Sequence, residues 1–148
     1  MHEPAIDRAD RRLLLELSEH GRAANVEIAQ VVHLSASAVA RRQRALEESG
    51  VIRGYHADID LSVLGIGLRA ITELQLEAGA DHDEFEAELR RTPEVRSASH
   101  VTGAHDYLLH LACPDVAALD RLLTGWKLSG ATRESSTRII LHDVDLTP

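Results

Sequence analysis

Three arginines within four residues, Arg41, Arg42 and Arg44, follow the hydroxyls of Ser35 and Ser37 in the stretch LSASAVARRQRALEESGVIRGY, Leu34–Tyr55. A guanidinium donates in a fixed fork that matches phosphate oxygens and the O6/N7 edge of guanine, and a serine hydroxyl both donates and accepts. Helical spacing sorts these groups. Val39 and Leu46 lie seven residues apart and share a face with Gln43, whereas Ser37, Arg41 and Arg44 occupy the opposite face and Arg42 its flank. Ser35 is suited to cap the helix and Gly50 to stop it. A short helix that buries one aliphatic stripe and turns arginines outward suits the major groove of DNA. The same pattern describes a solvated amphipathic face, so the elements around it must decide.

A second set of chemically capable residues is His100, His105 and His110, with Asp106 and Cys113 nearby. Zinc needs three or four such ligands converging at bonding distance, and these five-residue spacings match no standard metal motif. The expectation is no bound metal and no cofactor. Imidazoles that titrate near neutrality are the milder reading. No Ser-His-Asp set, paired carboxylates, phosphate-binding loop or glycine-rich dinucleotide fingerprint occurs, so no catalytic residue is expected. Cys113, flanked by Leu109, Leu111 and Ala112, reads as a small buried hydrophobe.

The arginine-bearing helix has partners upstream. Ile6, Leu13, Leu14 and Leu17 form a helical stripe that starts after Asp7 and stops at Gly21. A shorter helix, VEIAQVVH, follows Asn25 as its expected N-cap, with Glu27 placed for the helix dipole and Ile28, Ala29 and Val32 facing the first helix. Leu34-Ser35 is the turn between this helix and the next. Three helices, then Val51–Tyr55 and an alternating strand His56–Ile59, predict a winged helix-turn-helix over residues 1–60. Asn25, Ser35, Ser37, Arg41, Arg42 and Arg44 are its candidate DNA contacts.

Composition limits the rest. The chain has 148 residues, 44% hydrophobic and only 3% aromatic, so aliphatic side chains must fill any core. The absence of a long apolar run and of a cationic-apolar N-terminus predicts neither a membrane span nor a signal peptide, and a single cysteine is compatible with the cytoplasm. Net charge is −8, yet residues 35–56 carry four arginines against Glu47 and Glu48. Positive charge is thus concentrated on the helix proposed to read DNA, and acidity elsewhere weakens non-specific binding. So few phosphate contacts give weak affinity in one copy, which makes a dimer the expected active form.

The second half supplies the means. Leu61–Gly67 reads as a linker with two glycines. Leu68–Glu77 reads as a strand, followed by a helix that Asp83 would cap and Pro93 would end. Strands Val95–Thr102 and Tyr107–Cys113 flank a tight turn, a second helix opens at Pro114-Asp115, and Thr132–Val144 is the last strand. The order βαββαβ over residues 68–148 is the ferredoxin-like arrangement, with helices on one sheet face only. The fold class is therefore α+β, and packing sheet to sheet against a second copy would cover the other face.

Several stretches carry a resemblance: AIDRADRRLL, GRAANVEIAQ, LSASAVARRQRALEESGVIRGYHADID, LGIGL, PEVRSASHVTGAHDYLLHLACPDVAALDRLL and ATRESSTRIIL. On these the chain resembles the Lrp/AsnC (feast/famine) family of transcriptional regulators over nearly its whole length, VTG-x-x-DYLL being the most specific element. The resemblance implies regulation of transcription on double-stranded DNA, a dimerising βαββαβ domain, assembly into octamers or other even-numbered oligomers, and a small amino acid effector held between dimers near the central hairpin. Effector contacts carried over are Thr102, Gly103, Ala104, His105, Asp106, Tyr107, Thr132, Ser135 and Ser136. Asp106 can pair with an ammonium, while turn amides and hydroxyls can bond a carboxylate. The same residues also read as an ordinary turn and strand surface. Ala36 stands where proline is usual, Gln43 where an aliphatic residue is usual, and Ala104 and His105 where an acid and an aromatic are usual. The last difference should shift ligand preference. Two alternatives stand beside this reading: a ligand-sensing scaffold without DNA binding, and a sirohaem-decarboxylase-like enzyme, whose arginine- and aromatic-rich signature is absent here.

Overall fold

The structure, a computed structural model, describes residues 6–144. Its backbone divides into two compact units, one ending at Asp58 and the other beginning at Ile59.

Three helices form the first unit: α1 Arg8–Glu19, α2 Asn25–Val32 and α3 Ala36–Glu48. Asp7 and Asp10 cap α1 reciprocally, the Asp10 amide donating to Asp7 Oδ1 at 2.8 Å and the Asp7 amide to Asp10 Oδ2 at 3.1 Å. The cap of α2 differs from the expectation. Ala24 occupies it, its amide donating to Glu27 Oε2 at 2.8 Å, and Asn25 is the first helical residue. The Glu27 carboxylate reaches back and satisfies the amide that an asparagine cap would leave. Ser35 Oγ accepts from the Ala38 amide at 3.2 Å and starts α3. Gly50, with φ +74°, follows its end in the left-handed region that a glycine tolerates. Leu13, Leu17, Ile28, Ala29, Val32, Val39 and Leu46 make the shared core.

The expected strand His56–Ile59 does not form; residues 53–60 carry no strand pairing. Its alternation buries nothing, since Ile59 remains 51% exposed, and a lone ribbon without a buried face is marginal in water.

In the second unit a 3-10 turn, Leu61–Leu64, leads to β1 Leu68–Leu76, α4 His82–Arg91, β2 Val95–His100, β3 Tyr107–Cys113, α5 Val116–Leu128 and β4 Thr132–Ile139. The sheet order is β2-β3-β1-β4 with every pair antiparallel. Asp81, not Asp83, caps α4, its Oδ1 accepting from the Asp83 and Glu84 amides. β2 stops before Thr102 and β4 before Val144, both short of the expected ends. Alternation assigns the faces. Ala70, Leu74 and Leu76 of β1 and Tyr107, Leu109, Leu111 and Cys113 of β3 pack under the helices with Phe85, Leu89, Leu119 and Trp126. Arg69, Ile71, Glu73 and Gln75, with Leu108 and His110, alternate with them on the open face.

Candidate DNA-reading helix and effector hairpin

The outward face of α3 divides its arginines by partner. Arg41 and Arg44 are exposed and, among the described residues, form no ion pair or side-chain hydrogen bond. Ser37 is exposed beside them, its Oγ 3.1 Å from Ser35 Oγ. Arg42 behaves differently: its Nη1 donates to Asp7 Oδ2 and Asp10 Oδ1, both at 2.7 Å. The Asp10 amide holds the Asp7 carboxyl below its ordinary range, and Arg42 adds to that effect. Arg42 therefore braces α3 against the start of α1 rather than standing free for a phosphate.

Gln43 also points inward. Its Nε2 donates to Tyr55 Oη at 2.7 Å, and the Tyr55 hydroxyl donates to Glu47 Oε1 at 2.8 Å. Burial and the Glu47 carboxylate push the Tyr55 phenol pKa up. Tyr55 thus ties the segment after α3 back onto that helix. Sequence reading missed both the Asp7/Asp10 brace and the Tyr55 clamp, although the unusual glutamine on an aliphatic stripe was a signal of the second. Asn25 is half-buried at the first turn of α2.

In the second unit the turn between β2 and β3 is closed by the Val101 amide donating to the Asp106 carbonyl at 2.9 Å. Gly103 has φ +125°, a conformation that disfavours a side chain. Thr102, Gly103 and Ala104 are exposed, and His105 and Asp106 half-buried. Asp106 is anchored to β1: its amide donates to the Leu74 carbonyl and its Oδ2 accepts from the Leu76 amide, each at 2.8 Å. Its Oδ1 takes no hydrogen bond among the described residues. Tyr107 is buried, its hydroxyl 3.0 Å from His82 Nδ1 and donating to Glu86 Oε1 at 3.3 Å.

The β4 residues do not join the turn within one chain. Ser135 pairs with Leu74 and Ser136 with Glu73, so β1 separates them from β3, and the two serines face opposite sides of the sheet. Thr132 is buried opposite Leu76. The histidines are dispersed as well. His100 stacks on Tyr107 on the helix side, His110 is exposed on the open face, and His105 sits in the turn. Among the described residues no three His, Cys, Asp or Glu side chains converge as a metal would require. Burial raises the Cys113 thiol pKa, opposite to what a nucleophile needs.

Known proteins share both units. Residues 6–53 match the winged helix-turn-helix DNA-binding family and residues 69–147 the Lrp/AsnC ligand binding domain. The HTH-type transcriptional regulator Rv2324 of Mycobacterium tuberculosis is 35% identical over 139 residues, 94% of each chain. The leucine-responsive regulatory protein of Salmonella typhimurium is 34% identical, over 94% of this chain and 87% of its own. Among solved structures, the transcriptional regulator NMB0573 of Neisseria meningitidis in complex with L-methionine gives a TM-score of 0.85 at 32% identity, covering 97% of this chain and 94% of that one. The feast or famine regulatory protein Rv3291c of M. tuberculosis, complexed with L-methionine, gives 0.85 at 34% identity, covering 97% and 99%. With a helix-turn-helix that bears unpaired arginines and a βαββαβ ligand-binding domain, the chain belongs to the Lrp/AsnC family of DNA-binding transcriptional regulators.

Proposed function

We propose that α3 enters the major groove with Ser37, Arg41 and Arg44 against base edges, while Arg42 sets the helix angle through Asp7 and Asp10. The observation that carries this reading is the division of partners on one helix: Arg41 and Arg44 are unpaired among the described residues, and Arg42 is held at 2.7 Å by two carboxylates. Ser35 and Asn25, at the starts of α3 and α2, lie where helix amides can meet the phosphate backbone. Mobility-shift titration on the protein's own upstream DNA tests the assignment. Replacing Arg41 or Arg44 by alanine should cost about 1–3 kcal/mol at the cognate site if each reads a guanine. A double variant with unchanged affinity would refute it, and wild type that shifts no DNA would favour a scaffold.

The effector reading rests on the turn 102–107 and on the relatives solved with L-methionine. Asp106 Oδ1 would receive a ligand ammonium, and the exposed turn amides its carboxylate. Ser135 or Ser136 would complete the pocket from another copy, because β1 separates both from the turn in a single chain. Ala104 and His105 would then set side-chain preference. A small amino acid bound between dimers, in an even-numbered cytoplasmic assembly, is the form proposed. A thermal-shift screen of the proteinogenic amino acids identifies the ligand, since selective binding raises the unfolding temperature by mass action. Asp106→Ala should abolish that response. Binding unchanged in Asp106→Ala would place the pocket elsewhere.

A further inference from the structure

A cleft of about 350 Å³ opens between α4 and the edge strand β2, within the size range of small-molecule sites. Leu89, Val95 and Ala98 give it an apolar surface. His100 lies flat on Tyr107, with ring centroids 4.9 Å apart and planes 16° off parallel, and the pair makes one wall aromatic.

The charges of this cleft are unevenly satisfied. Arg90 Nη2 pairs with Glu86 Oε2 at 2.9 Å, and Glu86 Oε1 accepts from the Tyr107 hydroxyl at 3.3 Å. Both Glu86 oxygens are thus engaged. Arg96, by contrast, has no hydrogen bond or ion pair from its side chain among the described residues, although the chain carries a net charge of −8. It is also the extra residue of a β-bulge: Val95 pairs with Leu111 and Ser97 with His110, leaving Arg96 unmatched. A bulge re-aims the side chain it carries, and Arg96 lines the cleft.

We propose that the α4–β2 cleft binds a small monocarboxylic acid with a flat apolar body, its carboxylate paired with the Arg96 guanidinium that the β2 bulge presents. One free cation matches one negative charge, and the nearby Glu86 carboxylate opposes a polyanion. Glu86 already pairs with Arg90 and accepts from the Tyr107 hydroxyl, so a ligand ammonium would have to compete for it, whereas a carboxylate meets the unshared Arg96. This cleft therefore prefers an acid lacking an amine, unlike the turn at Asp106. The two sites share Tyr107 but differ in the group that would hold the ligand's charge, since Asp106 does not line the cleft and Arg96 is not in the turn.

Calorimetric titration of the full chain with 3-phenylpropanoate tests the proposal. L-phenylalanine has the same carbon skeleton plus an ammonium and serves as the discriminating probe. The acid should bind the wild type, and Arg96→Gln should weaken it about tenfold or more through loss of the charged hydrogen bonds. Ala98→Phe, on an exposed strand position, should fill the cleft and abolish binding, with circular dichroism confirming an unchanged fold. Asp106→Ala should leave the acid's affinity unaltered, which separates failure of this site from failure of the effector turn. The proposal is overturned if the wild type takes up no acid at millimolar concentration, or if Arg96→Gln binds it unchanged. L-phenylalanine binding equally well through Arg96 would overturn the assigned ligand class.

Discussion

The Arg42 guanidinium reaches from the middle of α3 to two carboxylates at the start of α1, 35 and 32 residues away in sequence. Residue identity alone does not separate these three neighbouring arginines; packing does, pairing Arg42 with two carboxylates and leaving Arg41 and Arg44 without an ion pair among the described residues. Arg42→Ala should leave the buried Asp10 carboxylate without its cation and lower folding stability by about 1–2 kcal/mol, read as a shift in urea midpoint. A variant as stable as wild type would show the brace to be dispensable. Acid makes the same contact titrate. Asp7 has an ordinary pKa of 3.8 and a lower one in the folded chain, first because the Asp10 amide donates to it and then because of Arg42. A carboxyl depressed in this way adds stability that is complete above 3.8 and is lost as pH falls through the folded value. Urea midpoints measured across that window should therefore fall less steeply for Asp7→Asn than for wild type. Ser35 capping α3 was legible because a cap is made within three residues; the Asp7–Arg42 contact was not, because nothing local encodes a partner so distant in the chain.

Elements were read best where their ends are chemically marked. Gly50 after α3 and Asp115 before α5 stand where expected, Asp115 Oδ1 accepting from the Ala118 amide at 2.7 Å. Reading slipped where two candidates compete, as with Asp81 and Asp83 at the start of α4, and where a strand needs a partner that the pattern cannot name, as over His56–Ile59. Strand alternation was legible, yet which face is covered was not, since Leu74, Leu109 and Leu111 suit either side. The structure places all three under the helices. Gly67, part of the expected linker, turns out to be a tight approach between elements. Its amide donates to the Pro114 carbonyl at 3.2 Å, and a Cβ there would meet that oxygen at 2.8 Å. The neighbour is backbone rather than a side chain able to rotate away, so Gly67→Ala should cost about 1–3 kcal/mol, as overpacking does. Calorimetry would check this, and an unchanged unfolding temperature would mean that β1 and the β3–α5 connection shift freely apart.

At the scale of the whole molecule, if α3 reads DNA as proposed, the two arginines left unpaired among the described residues would bind more tightly with a second copy present, because affinity rises with the number of phosphates neutralised. The second unit offers the surface. Its sheet carries helices on one face, while the other presents Ile71 and Leu108, half-buried, among the Glu73–Arg138 ion pair and His110. An antiparallel sheet can leave one face in water, so the mixed character of this face makes the test informative. If two copies pack open face to open face, Ile71 and Leu108 are desolvated together, and burying an aliphatic side chain stabilises by about 1.5–3 kcal/mol. Placing a carboxylate at each position removes that gain and adds like charge across the symmetry axis. Ile71→Glu with Leu108→Glu should weaken self-association at least about a hundredfold, since each 1.4 kcal/mol is tenfold. Sedimentation of the full chain should show a dimer or larger even-numbered assembly for wild type and a folded monomer for the double variant. DNA affinity should fall with it while the first unit's helices persist. An assembly of undiminished size in the double variant would mean that copies meet through another surface, and the exposed Leu141 and Val144 beyond β4 would be the next residues to change.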